Sequence, residues 1–294
     1  MKKLLNLGAL CLLAVLQSCE EKGVLIDFSD KNNFVDTTYT AAVETPQNRN
    51  VLVEEFTGAS CTNCPDGHAT VASLIATNGE RVVAVAYHTF NGGAIFKPVK
   101  ELSGHNSAYD FRDSAATNIG DVIFGGVTSI PKAGIDRVTV GSSKLIDRNV
   151  WASEVNKRLA IASPVNLYVT SSYNSTDDLV SINVKAAYTK SVSGKNILTL
   201  GVIESDIIDA QKYPDSVDMH YNHTHVFRKC LTPFYGKAVL DSVTTKQAGT
   251  VYEYNYSFKP APAWKLENCK IVAFISNNEA DNKEILQAKE VKVK

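Results

Sequence analysis

Two cysteines three residues apart carry the reactive chemistry of this chain. Cys61 and Cys64 lie in Thr57-Gly-Ala-Ser-Cys-Thr-Asn-Cys-Pro65, directly after the run Val51-Leu-Val-Glu-Glu-Phe56. That run is apolar and β-prone apart from Glu54 and Glu55, the composition of a central strand with a functional interruption. Gly58 allows a turn. Pro65 has no N–H and so belongs in the first turn of a helix. Both cysteines can then sit at a helix start, where unpaired N–H groups and the positive end of the dipole favour a thiolate. A thiolate with a second thiol in reach is the minimal unit for disulfide exchange. The same spacing also serves half a zinc site, which would need two further ligands, or an inert structural disulfide.

The elements around the pair read as a βαβ unit. Ala69, Val71, Ala72, Leu74 and Ile75 supply a helical apolar face that ends at Asn78-Gly79. Arg81-Val-Val-Ala-Val-Ala-Tyr87 is nearly continuous in apolar residues, as a strand covered on both faces must be. A long loop from His88 to Gly104 follows, then an expected helix over 105–118. Ile130-Pro131 precedes a short strand. Residues 147–161 form an expected last helix, with Asp147 as its cap and Val150, Trp151, Val155 and Leu159 along one side.

After Ser163-Pro164 the pattern turns all-β. Strand-like runs cover 166–170, 179–184, 197–203, 251–258, 269–275 and 285–293, several of them separated by turn clusters such as Ser175-Thr-Asp-Asp178. Alternation with such punctuation implies a β-sandwich. The histidines of His220-x-x-His223-x-His225 are the densest such cluster. On an extended segment His223 and His225 would share a face, yet no nearby cysteine or carboxylate completes a metal set. No metal site is therefore expected. His68, on the helix after the cysteines, is a solvated residue or a neighbour of the thiols.

The first residues are an address. Lys2 and Lys3 precede an apolar stretch, Leu4 to Leu16, too short for a comfortable membrane span. It ends in Leu16-Gln17-Ser18-Cys19, which resembles the bacterial lipobox and implies a lipid on Cys19. The organisation expected is a signal peptide over 1–18, a lipidated tether over 19–48, a first domain over 49–163 and a sandwich over 164–294. Of the six cysteines, Cys11 leaves with the signal and Cys19 takes lipid. Cys230 and Cys269 remain, and in an oxidising compartment they are expected to form a structural disulfide. A hydrophobic share of 44% suits a globular protein with real cores. With a formal charge of −1 and no basic stripe interleaved with aromatics, no nucleic-acid partner is expected. There is no phosphate-binding glycine loop and no serine-hydrolase elbow, so no cofactor is implied.

Strand, Cys-x-x-Cys and helix, with Glu55 six positions before the first cysteine and Phe56 beside it, resemble the thioredoxin superfamily. The resemblance implies an α/β thioredoxin-like domain followed by an all-β, immunoglobulin-like sandwich. It makes Cys61 the nucleophile, Cys64 the resolving thiol and Glu55 the buried proton acceptor. It further implies a cis Ile130-Pro131 bond beside the cysteines, with Ile130 binding substrate backbone. Ser60 replaces the tryptophan usual before the first cysteine, and Thr62-Asn63 replaces Gly-Pro, so redox potential and partner choice do not carry over. The two-part plan also resembles the outer membrane protein family of the 28 kDa class. Glu54-Glu-Phe-Thr-Gly58, Cys61-Thr-Asn-Cys-Pro65, His225-Val-Phe-Arg228, Ile271-Val-Ala-Phe-Ile275 and Leu286-Gln-Ala288 carry this likeness. It implies a lipid-anchored envelope protein at the outer membrane, on its periplasmic or cell-surface face. Two functions follow as expectations: thiol–disulfide exchange on exported protein thiols or disulfides, or a non-enzymatic surface or adhesion protein that binds protein or glycan and uses the cysteines as a staple.

Overall fold

The computed structural model describes residues 35–101 and 103–294. The expected signal peptide, Cys19 and the first part of the tether lie outside the described residues. In chain order the elements are β1 (Val35–Thr40), β2 (Val51–Thr57), α1 (Cys64–Asn78), β3 (Val82–His88), α2 (Ser114–Asn118), β4 (Lys132–Ile135) and α3 (Arg148–Leu159). Strands follow: β5 (Val165–Asn174), β6 (Leu179–Tyr188), β7 (Val192–Ser193), β8 (Asn196–Glu204), β9 (Ile207–Lys212), β10 (Val217–His223) and β11 (Val226–Cys230). The last are β12 (Lys237–Val239), β13 (Thr245–Lys246), β14 (Thr250–Phe258), β15 (Cys269–Asn277) and β16 (Ile285–Lys292).

One sheet runs through both halves of the sequence, in the order β16-β15-β8-β11-β3-β2-β4 with β12 also on β8. The change of composition near residue 163 coincides with the end of α3 and the start of β5, but it does not divide this sheet. The seam is a short parallel pairing of β11 with β3, where Ala86 N–H donates to His225 O at 2.8 Å. A second sheet, β1-β14-β6-β5, covers one end of the large one. Period-two alternation makes this possible. Val180, Ile182, Val184 and Ala186 of β6 and Tyr252, Tyr254, Tyr256 and Phe258 of β14 meet Leu198, Leu200, Ile271 and Ala273 of the large sheet. The other face of β8 and β15 is apolar too. Ile203, Val272 and Phe274 pack with Phe56, Tyr87, Ile119 and Phe124. Residues 35–40, within the expected tether, are the edge strand of the second sheet, paired antiparallel with 250–255.

β2, β3 and β4 are layered between two cores. Odd-numbered Val51 and Val53 face α1 and α3, meeting Val71, Leu74, Trp151 and Val155. Even-numbered Leu52 and Phe56 face the opposite core. The α3 expectation holds, with Trp151 fully buried and its Nε1 donating to Ile146 O at 3.0 Å. Asp147 makes no cap hydrogen bond and reaches Lys132 instead, at 2.6 Å. The expected helix over 105–118 shrinks to α2. Backbone N–H groups of Ala108 and Tyr109 are taken by the Asp209 carboxylate at 2.8 and 2.9 Å, and Asp113 then caps the N–H groups of Ala115 and Ala116. A distant carboxylate thus overrides the local helical pattern.

The disulfide expected between Cys230 and Cys269 is not formed; both are free thiols. Cys230 on β11 pairs with Gly201, whereas Cys269 on β15 pairs with Glu204, so β8 lies between them. They also point to opposite faces, Cys269 into the core between the sheets and Cys230 towards the core around Phe56. A full strand spacing on each side of β8, about 4.8 Å each, already exceeds the reach of a disulfide. Burial pushes both thiols up to about 12, so they stay protonated and inert.

Candidate functional site

Cys61 and Cys64 are joined as a disulfide with their Cα atoms 5.4 Å apart. Cys64 is the first residue of α1, and Cys61 sits in the turn before it, held by Cys61 N–H to Gly58 O at 3.1 Å and Cys64 N–H to Cys61 O at 3.3 Å. Pro65 occupies the first turn, where its missing N–H costs nothing. Ile130-Pro131 is cis, as expected. Its place beside the pair is direct: Cys61 Sγ lies 3.8 Å from Ile130 O.

Glu55 lies beneath. Strand alternation turns it to the α1 side, and there Gly67, one helical turn past Cys64, leaves the space it needs. A Cβ on Gly67 would collide with Glu55 Oε1 and come within 2.9 Å of Pro131 Cβ. The carboxyl is buried, and Oε1 has no hydrogen-bond partner among the described residues. Desolvation pushes it up to about 8, so at neutral pH it is a protonated acid. Glu54 points the other way. It takes a two-pronged bond from Arg137, at 2.8 and 2.7 Å, and accepts from Tyr87 Oη at 3.3 Å. The partner was not visible in sequence, because Arg137 is 83 residues away.

The hairpin of β9 and β10 covers the pair. Lys212 N–H donates to Ala59 O at 2.8 Å, and Gln211 Nε2 donates to Cys61 O at 3.0 Å. Ala59, Val99 and Ala210 form a small apolar seal with Val217 and Met219. Cys61 is consequently only 3% exposed and Cys64 not at all. Tyr221 of β10 anchors the hairpin to α1: its Oη lies 2.6 Å from His68 Nδ1, while His68 Nε2 lies 2.8 Å from Thr57 Oγ1. Both nitrogens of His68 are thus engaged away from the sulfurs, and burial pushes it down to about 3.

The triple-histidine segment does not act as one group. His223 is buried against Phe111 and Tyr221, with ring centroids 4.8 and 4.9 Å away. His220 is exposed, and His225 adopts a left-handed backbone conformation that turns the chain into β11. Among the described residues no group of three or more His, Cys, Asp or Glu could hold a metal. Arg228 pairs with Glu204 at 3.2 Å.

The pattern of the outer membrane protein Omp28 family matches residues 123–294, more than half of the chain. The chain belongs to the Omp28 family. Its place is therefore the outer membrane of the cell envelope. No described helix is long and apolar enough to cross a membrane. The fold is similar to that of HBP35 of Porphyromonas gingivalis, at 18% identity and a TM-score of 0.62 over 85% of this chain and 77% of that one. It is also similar to the crystal structure of an Agrobacterium tumefaciens protein, at 14% identity and a TM-score of 0.50 over 85% and 97% of the two chains. A crystallised domain of the outer membrane lipoprotein Omp28 from Porphyromonas gingivalis matches 45% of this chain and 88% of its own, at 18% identity and a TM-score of 0.31. A comparison with curated proteins found no match.

Proposed function

We propose that this Omp28 member is a lipid-anchored thiol–disulfide exchange protein, with residues 49–163 as a thioredoxin-like unit and residues 164–294 as an immunoglobulin-like support. Cys19 carries the lipid in this reading. One observation carries it: the Glu55 carboxyl is buried against Gly67, one helical turn past Cys64, and beside Pro131, and its Oε1 has no hydrogen-bond partner among the described residues. A structural staple gains nothing from such a group, since leaving it unpaired costs stability. A redox pair does, because it needs a proton held within the interior. The step is written from the disulfide form. A substrate thiolate attacks Cys61 Sγ, and the Cys61–Cys64 bond breaks. Cys64 leaves with the electron pair and takes the proton of Glu55. The Ile130 carbonyl and the Pro131 turn align the substrate backbone. A second substrate thiolate then attacks the substrate sulfur of the mixed disulfide and releases Cys61. The substrate loses two electrons and the protein gains them as a Cys61 thiolate and a Cys64 thiol, with water returning the proton to Glu55. Partners are exported proteins bearing thiols or disulfides.

The test is exchange of the wild-type disulfide with a dithiol peptide, with Cys64→Ser used to trap, from the disulfide form of the same peptide, a mixed disulfide on Cys61. Wild-type exchange must exceed that of Cys61→Ser, and an equal rate ends the proposal. The burial of both sulfurs favours a second reading, in which the pair is a staple and the protein is a surface or adhesion protein binding protein or glycan. Its mark is ligand binding that survives loss of both thiols.

A further inference from the structure

Two clefts flank the cysteine turn, and their charges differ. On the Pro131 side the charges cancel, Arg148 pairing with Asp66 at 2.7 Å and Lys132 with Asp147 at 2.6 Å. On the opposite side a cleft of about 780 Å3 is lined by Ser60, Thr62, Lys97, Lys100, Arg112 and Lys212, together with Glu101 and Asp110. Such a volume is ordinary for a binding site. Here Lys212 pairs with Glu101 at 2.7 Å and Arg112 with Asp110 at 2.6 Å. Lys97 and Lys100 are exposed and have no ionic partner among the described residues. The cleft therefore carries two uncompensated positive charges.

Its walls are fixed to the cysteine turn. Ser60 N–H donates to Lys97 O at 3.2 Å, and Ser60 Oγ donates to Pro98 O at 3.1 Å. Lys212 is fixed from the other side by its N–H bond to Ala59 O. A segment lying in this cleft is thereby set in register with Cys61, the residue between Ser60 and Thr62. Half-exposed Ile95 adds an apolar contact on the same wall.

We propose that this cleft binds an acidic stretch of the polypeptide whose cysteine exchanges with Cys61. The proposal rests on the exchange reading for its purpose, but its binding step does not. Two exposed ion pairs made with Lys97 and Lys100 are worth a roughly three- to tenfold preference. Salt at about 1 M, with a screening length of about 3 Å, removes it.

The experiment uses the full-length protein and dithiol peptides identical except for Asp/Glu, Ser or Lys flanks. The Asp/Glu peptide should exchange roughly three- to tenfold faster in kcat/KM than the Ser peptide, and the Lys peptide slower still. Lys97→Gln with Lys100→Gln should abolish the difference, as should salt. In parallel, a fluorescent acidic peptide without cysteine is titrated into the disulfide form and followed by anisotropy. Binding without exchange on any peptide would sustain the cleft and remove the exchange reading. Equal binding of acidic and neutral peptides, or a preference that survives the double lysine variant, would overturn the cleft. Displacement of the peptide by an equal concentration of glycerol phosphate would assign the cleft to a phosphate headgroup and overturn the peptide.

Discussion

Replacing Glu55 with Gln tests the central carboxyl through the pH dependence of stability. In the unfolded chain a glutamate titrates at 4.5; here burial raises it to about 8. Between those values the native state holds a proton that the unfolded state has released, so stability falls as pH rises. The slope is about 1.4 kcal/mol per pH unit, and integrated from pH 5 to pH 8 it amounts to roughly 3 kcal/mol. Gln has nearly the same shape and no titration, so the variant keeps a buried amide but loses that slope. Its own packing and hydrogen-bond cost is a constant offset. His68 and His223, which burial holds down to about 3 and about 4, act in the opposite sense. Their neutral folded forms add stability that is lost as pH falls below 6.5, but they do so equally in both proteins and cancel in the difference. Urea unfolding at pH 5, 6, 7 and 8 measures it. The variant should gain roughly 3 kcal/mol on the wild type across that range. Parallel curves would show that Glu55 is solvated or already ionised, and the proton-donor role would fall with it.

Three further outcomes are expected. Glu54→Ala leaves the Arg137 guanidinium uncompensated in the interior and should cost about 3–5 kcal/mol, with much of the loss recovered in Glu54→Ala/Arg137→Met, as measured by a double-mutant cycle in urea. Tyr221→Phe removes the hydroxyl bonded to His68, worth about 1 kcal/mol, and should speed reduction of the Cys61–Cys64 bond by dithiothreitol several-fold; an unchanged rate would mean that the hairpin does not control access. Alkylation in denaturant without reductant should label both Cys230 and Cys269, and protection of both would restore the disulfide that the strand positions exclude.

Local sequence determined the elements that local physics controls. The strand before the cysteines, the helix begun by Pro65 and ended at Gly79, the short strand after Ile130-Pro131 and six long strands after residue 163 all follow from periodicity and turn chemistry within a few residues. The assignment of Glu55 rather than Glu54 to the cysteine side followed from alternation along β2, once the resemblance to a redox domain supplied the register. Only the tertiary structure decided what depends on partners far along the chain. Arg137 as the counter-charge of Glu54, the β9–β10 hairpin over the disulfide and the Asp209 carboxylate that dissolves the expected helix are such cases. So are the placement of Cys230 and Cys269 on opposite faces of a sheet and the joining of both halves through β3 and β11. The physical reason is common to all of them. A residue's backbone preference is a property of its neighbours in sequence, whereas its pairing, burial and proton affinity are set by whatever the fold brings against it.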